Sequence, residues 1–242
     1  MQLDFFYLIR TFWLCVKAIP VTLEITIVSL LLAVIPALLI SLARIHKIKV
    51  LDPLCRLFVS FIRGTPIVLQ ILIVYSIMPS LLNSFVKAVG WSVNIFEINP
   101  IIYAFAVFGI NSTASLSEVF RSAISSVEVG QLEAALSIGE TRFQAFCRVI
   151  FPQALVSALP NLCSTAVILI KNTSLAFIMT VREITAVAKI EAAYGYNYVE
   201  SYIDIFIIYI AVCLAVEFIF RKIEKRLVYR GIKNRRTLVR GS

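Results

Sequence analysis

The stretch GQLEAALSIGETRFQAFCRVIFPQAL, residues 130–155, sets Glu133, Glu140, Arg142 and Arg148 into a chain of 242 residues that is 60% hydrophobic and 15% charged. Leu132, Ala135 and Leu136 fall at i, i+3 and i+4, the spacing of a short helix with one apolar stripe. Gly139 stands where a glycine just past a helix end takes up the left-handed conformation. Thr141 and Gln144 have the spacing of a capping box for a second helix. Phe143, Phe146, Cys147 and Ile150 would give that helix an apolar face turned toward the rest of the molecule. Ala134 and Ala135 keep one side of the first helix small, so another backbone can approach it closely. The stretch therefore predicts a water-facing helical hairpin, and its surroundings decide what it serves.

Those surroundings are apolar blocks. The mean hydropathy is +0.92, and a soluble domain usually has about 25% charged residues. Uncharged runs cover Ile25–Ala43, Gly64–Val86, Ile98–Ser117 and Val149–Ile170. Each is roughly 20 residues long, the length that crosses a bilayer core as a helix. A fifth run, Ser201–Phe220, spans if Asp204 and Glu217 lie toward its two ends. Four such runs in so short a chain are hard to bury in a soluble core. The chain reads as an all-α membrane protein with five transmembrane helices. Asp4, Arg10 and Lys17 interrupt the first eighteen residues, which does not fit a cleaved signal peptide.

Charge gives an orientation. Arg44, Lys47, Lys49, Arg56 and Arg63 face only Asp52 between the first two spans, which marks a cytoplasmic loop. The segment from Leu82 to Pro100 has only Lys87 and Glu97, and Arg182–Glu200 is net acidic, so both read as external. Nine Lys and Arg against one Glu lie between Arg221 and Ser242, a basic cytoplasmic anchor that accounts for most of the net charge of +9. The expected division is an external segment 1–18, a transmembrane domain 19–220 with a cytoplasmic loop at about 122–152, and a basic tail 221–242. The N-terminus is outside and the C-terminus inside. Charge confined to that tail argues against a nucleic-acid partner. Five scattered cysteines and the lone His46 give no metal-binding spacing.

Three ordered motifs carry a family resemblance. Glu133-Ala134-Ala135, then Gly139, then Val149-Ile150-Phe151-Pro152 resembles the EAA loop of binding-protein-dependent ABC importer permeases. FIRGTPIVLQ (61–70), with SLSEVFRSAI (115–124) and KNTSLAF (171–177), is similar to the polar amino acid uptake subfamily, and YGYNYVESYIDIF (194–206) resembles its cystine-type members. The resemblance implies a type I ABC importer permease fold in a bacterial cytoplasmic membrane. It implies a coupling role for Glu133, Ala134, Ala135, Gly139, Thr141 and Arg142 against an ATPase. The implied partners are a second permease subunit, homologous or identical, two ATP-binding subunits and an extracytoplasmic substrate-binding protein. The chain has no GxxxxGK[ST] phosphate loop. ATP and Mg therefore belong to the partner, and the chain is not expected to be an enzyme or to hold a cofactor or catalytic residue. The competing class is an ATP-independent secondary transporter or channel, for which the hairpin has no use.

Polar groups inside spans are costly and mark candidate solute sites. Arg63 and Thr65 open the second span, where Thr65 suits an N-cap, and Gln70 lies one turn deeper. Asn111 and Ser112 fall mid-span, where small polar residues also serve helix packing. Glu118 lies three residues from Arg121 and can pair with it. Lys171, Asn172, Thr173 and Ser174 close the fourth run. Lys171 suits a substrate carboxylate if it lies in the bilayer, and is otherwise a snorkelling interfacial lysine. The subfamily often has Asp where this chain has Asn172. A missing carboxylate favours a neutral or zwitterionic amino acid, L-cystine foremost, over a cationic one.

Overall fold

Five helical stretches among the described residues are long and apolar enough to cross a membrane: Phe5–Ile45, Ile67–Ala88, Pro100–Ser125, Arg142–Met179 and Tyr198–Leu227. The computed structural model of the chain describes residues 3–91 and 95–240, with side chains through Leu227. Each expected span overlaps one of these stretches, although the runs read from Gly64 and Ile98 begin two or three residues before their helices.

The helices are α1 (Phe5–Lys17), α2 (Ile19–Ile45), α3 (Leu51–Gly64), α4 (Ile67–Ala88), α5 (Pro100–Ser125), α6 (Val129–Ser137), α7 (Arg142–Ala145), α8 (Phe151–Thr173), α9 (Ile184–Gly195) and α10 (Tyr198–Arg240). A π-helical turn, Phe146–Ile150, joins α7 to α8, and a 3₁₀ turn, Ser174–Met179, follows α8. The centre is the α2–α5 seam. Ala33 and Ala37 from α2 are fully buried near Leu116 of α5. Ile25 packs with Tyr103, Ala104, Val107 and Phe108. Lipid tails give helices no hydrophobic reason to associate, so small residues that let backbones approach decide such seams. The large apolar residues Leu31, Ile35 and Leu39 on the other face of α2 stay exposed, as a lipid-facing surface requires.

Two regions read as loops are helices. The basic segment after the first span is largely α3, whose Val59 and Ile62 pack on Ala114 of α5 beside Ile40 and Phe58. Asp52 accepts two hydrogen bonds from Arg56, at 2.8 and 2.7 Å, and this guanidinium holds its carboxyl below the usual carboxylate range. The acidic segment Arg182–Glu200 contains α9. Glu183, fully buried, caps α9 by accepting from the Thr185 and Ala186 N–H groups at 2.8 Å, and it also accepts from the Tyr209 hydroxyl at 2.9 Å.

The segment before residue 19 is part of the bundle. Asp4 caps α1 by accepting from Tyr7 N at 2.9 Å. Tyr7 Oη lies 2.7 Å from Ser201 Oγ, and Cys15 and Ala18 are buried with Ile184, Ile208 and Val212. The basic tail continues α10 as helix to Arg240.

Replacing Ala37 by Leu forces extra methylenes into the α2–α5 seam. The expected loss is about 1–3 kcal/mol, seen as a lower unfolding temperature in detergent. Leu31→Ala, on the exposed face of the same helix, should change it little.

Candidate functional site

The hairpin forms at one end of the bundle. Past Ser137 the chain turns through Gly139 at φ +89°, and two bonds close the turn: Gly139 N to Leu136 O at 3.0 Å and Glu140 N to Ala135 O at 3.2 Å. This is the paired pattern of a Schellman end, which wants a left-handed residue at that position. A Cβ on Gly139 would meet nothing within 4 Å, so the demand comes from the backbone and not from space. The expected capping box is complete. Gln144 N donates to Thr141 Oγ1 at 3.3 Å, and Thr141 N donates to Gln144 Oε1 at 2.9 Å. Arg148 and Glu140 pair at 3.2 Å across the turn.

Glu133, Ala134, Gly139, Thr141 and Arg142 are all exposed. Two expectations need correction. Ala135 is only 3% exposed, because α6 lies on the π-helical turn and Ala135 is on the covered side. It closes the hairpin and does not present a free small surface. Phe143 is 77% exposed and Cys147 is exposed too, while Ala145 and Ile150 are buried. The expected face is thus kept at Ile150 and in part at Phe146, and lost at Phe143 and at Cys147 inside the π turn. Ile138, also strongly exposed, joins Phe143 as an apolar tip that periodicity did not reveal.

The polar candidates within the spans fall in three places. The first is a helix break. α3 ends at Gly64 and α4 starts at Ile67, with Thr65 and Pro66 extended between them. Thr65 does not cap α4. Its hydroxyl donates back to Phe61 O at 2.9 Å. Gln70 Nε2 donates to Ile62 O at 2.8 Å and Thr65 O at 3.2 Å, and Asn111 Nδ2 donates to Gln70 Oε1 at 3.3 Å. Asn111 precedes Arg121 by ten residues, about 15 Å along α5. The break is therefore deep, and its loose carbonyls must be met by protein. Ser112 is buried on α5, and Arg63 is exposed on the last turn of α3.

The second place is a charge cluster near the hairpin end. Glu118 accepts from Arg121 at 2.8 and 3.0 Å, as its spacing predicts, and also from Arg44 of α2. Arg44 had counted only as loop charge, and nothing in the sequence paired it across 74 residues.

The third is the end of α8. Ala123, Ala154 and Ala158 pack together, which brings Ala158 level with the last turns of α5. Lys171 lies thirteen residues further, about 20 Å along the helix, within the apolar stretch Arg142–Met179. It is exposed on the flank of the bundle with no ion pair among the described residues. Thr173 is buried and donates to Ile170 O at 2.6 Å, Ser174 donates to Lys171 O at 2.7 Å, and Asn172 is half-buried. Lys171 and Ser174 share a cleft with α10, while Thr173 turns inward.

The description of binding-protein-dependent transport system inner membrane components matches residues 29–229. The probable amino-acid permease YxeN of Bacillus subtilis (strain 168) is 36% identical over 207 residues, 86% of this chain and 88% of its own. The L-cystine transport system permease TcyL of the same organism is 36% identical over 209 residues, 86% and 85% of the two chains. A solved amino acid ABC transporter with histidines superposes with a TM-score of 0.77 at 27% identity, over 93% of this chain and 100% of that one.

Gln70→Leu should leave the carbonyls of the helix break unmet. A buried unsatisfied group costs about 1–3 kcal/mol, so the variant should melt lower in detergent than wild type. Equal melting of wild type and Gln70→Leu would remove the structural role given to this side chain.

Proposed function

The chain belongs to the binding-protein-dependent transport system inner membrane components, and from that premise we propose that it is the permease of an ATP-driven importer of polar amino acids. Its N-terminus lies outside and its C-terminus inside. Residues 19–220, with α1 packed on them, form the membrane domain, the loop at about 122–152 receives the ATPase, and the basic stretch 221–242 stands in the cytoplasm. It works beside a second permease subunit, with two ATP-binding subunits that hold ATP and Mg, and an external binding protein delivers the solute.

The observation that carries this reading is the hairpin. It is capped at both turns, its tip exposes Glu133, Ala134, Gly139, Thr141 and Arg142, and its second arm runs into α8 without a loop. Force on the tip therefore passes into a span through continuous helix. ATP-driven closure of two partners would draw two such hairpins together and rock the spans between outward and inward access. Arg63, Thr65, Gln70, Asn111, Ser112, Glu118 and Lys171–Ser174 divide the remaining work. Of these, Thr65, Gln70, Asn111, Glu118 and Thr173 hold the frame, and Lys171 and Ser174 face the solute.

Gly139→Val changes the turn, and Glu133→Lys reverses charge on the tip. Together they should abolish uptake, with the ATPase released or its hydrolysis uncoupled, while the permease itself stays folded. Normal uptake with the ATPase bound would exclude the hairpin as the coupling element.

For the substrate we infer a neutral or zwitterionic amino acid, with L-cystine first. Asn172 supplies no carboxylate for a cationic side chain, and the similarity to TcyL, a cystine permease, supports that choice. Asn172→Asp should move the uptake preference toward arginine and histidine. An unchanged profile over an amino acid panel would remove this argument.

A further inference from the structure

The contact between α1 and α10 is a ladder of polar pairs that starts at the end of the bundle opposite the hairpin. Asp4 N donates to Glu200 Oε1 at 3.2 Å, and a little deeper the Tyr7 hydroxyl lies 2.7 Å from Ser201 Oγ. Deeper again, Cys15 of α1 is buried with Ile208 and Val212 of α10. The two helices therefore run side by side in one direction, and these contacts fix their register. Thr11 lies four residues after Tyr7 and four before Cys15, and Asp204 lies three after Ser201 and four before Ile208. Steps of three and four keep to one helix face, so Thr11 and Asp204 face the same seam at the same level.

This rung is open. Thr11 and Asp204 are both 0% exposed. The Thr11 hydroxyl oxygen and both carboxylate oxygens of Asp204 have no hydrogen-bond partner among the described residues. Asp204 has no ion pair among them either. Arg10 of α1 is turned out to Glu191, at 3.7 Å, and Lys189 of α9 lies over the Phe177 ring. The remaining titratable groups near this seam are Tyr7 and Cys15 on α1, Glu183 before α9 and Glu200 on α10, and none of them brings a positive charge. A buried carboxylate without a counter-charge is too costly to stand alone. Asp204 lies six residues into α10, about 9 Å, so a small cation has a short way in from solution past Glu200 and Ser201.

We propose that Asp204 is the seat of a monovalent cation drawn from solution, a sodium ion or a proton, with Thr11 Oγ1 as the second oxygen of the seat. Either occupant supplies the missing charge and is held by the same hard oxygen atoms. The seat joins the first membrane stretch to the last, so α1 closes fully on α10 only when it is filled.

The test melts the purified chain in detergent. Sodium is varied at fixed pH with choline keeping the ionic strength constant, and pH is then varied without sodium. A ligand bound only by the folded state raises the melting temperature with each tenfold in concentration. A sodium occupant should give a few degrees per tenfold in sodium. A proton should raise the melting temperature as pH falls and leave sodium without effect. Glu183, whose carboxyl burial pushes up to about 7, also favours the folded state more as pH falls through that value. Asp204→Asn keeps Glu183, needs no counter-charge and offers Thr11 a donor. It should lose the sodium response and retain of the pH response only the share that Glu183 supplies. Thr11→Val should keep the response but need about tenfold more cation. Should Asp204→Asn fail to fold, wild type is read directly: it should retain radioactive sodium through desalting, or show, in a Glu183→Gln background, the infrared band of a protonated carboxylic acid. Neither signal in wild type, a melting temperature that neither series moves, or the full wild-type response in Asp204→Asn overturns the proposal. The melting series reads the bundle and not transport, so none of these results bears on the importer reading.

Discussion

In a bilayer every polar group must be answered by protein, and this requirement orders the structure. Water is not there to meet a loose carbonyl or a bare charge. The break between α3 and α4 is tolerable because Gln70 turns its amide back onto Ile62 and Thr65 while Asn111 holds its other end. The charges near the hairpin end are tolerable because Glu118 sits between Arg44 and Arg121. Glu183 can be buried because two backbone N–H groups and a tyrosine hydroxyl meet it. Groups that are answered hold the frame. Not every group is answered, since both carboxylate oxygens of the fully buried Asp204 have no hydrogen-bond partner among the described residues.

One helix joins the two ends of the proposed mechanism. α8 begins where the π-helical turn of the hairpin ends, and it carries Lys171 twenty residues later, about 30 Å away. A displacement at the tip reaches Lys171 along one helix, whose hydrogen-bond ladder is interrupted at Pro160. The turn at Gly139 and the capping box at Thr141 keep the tip stiff enough to deliver that displacement. The α2–α5 seam, closed by small residues, gives α8 something fixed to move against.

Much of this was legible in the sequence. The spans appear as uncharged runs, the glycine turn and the capping box as local chemistry, and the Glu118–Arg121 pair as helical spacing. What was not legible depended on changes of helical phase or on distant contacts. Of the expected apolar face only Phe146 and Ile150 turn inward, while Phe143 and Cys147 stay exposed, and Ala135 of α6 is covered. α3 reads as a loop because its charges cluster, yet its Val59 and Ile62 face is buried. α1 reads as an outlying segment because only contacts with residues about 190 positions away, such as Tyr7 with Ser201, bring it into the bundle. The polar residues of the spans are similar in type, and only the fold divides those that brace the helices from those that line a groove.

Reconstitution into sealed vesicles tests the central claim most directly. The chain is incorporated with its second permease subunit, its ATPase and its binding protein, and uptake of a labelled amino acid panel is followed with and without ATP. The account predicts uptake of a polar amino acid only when ATP and the ATPase are both present, and none by the chain alone under an ion gradient. Gradient-driven uptake by the chain without the ATPase would contradict it.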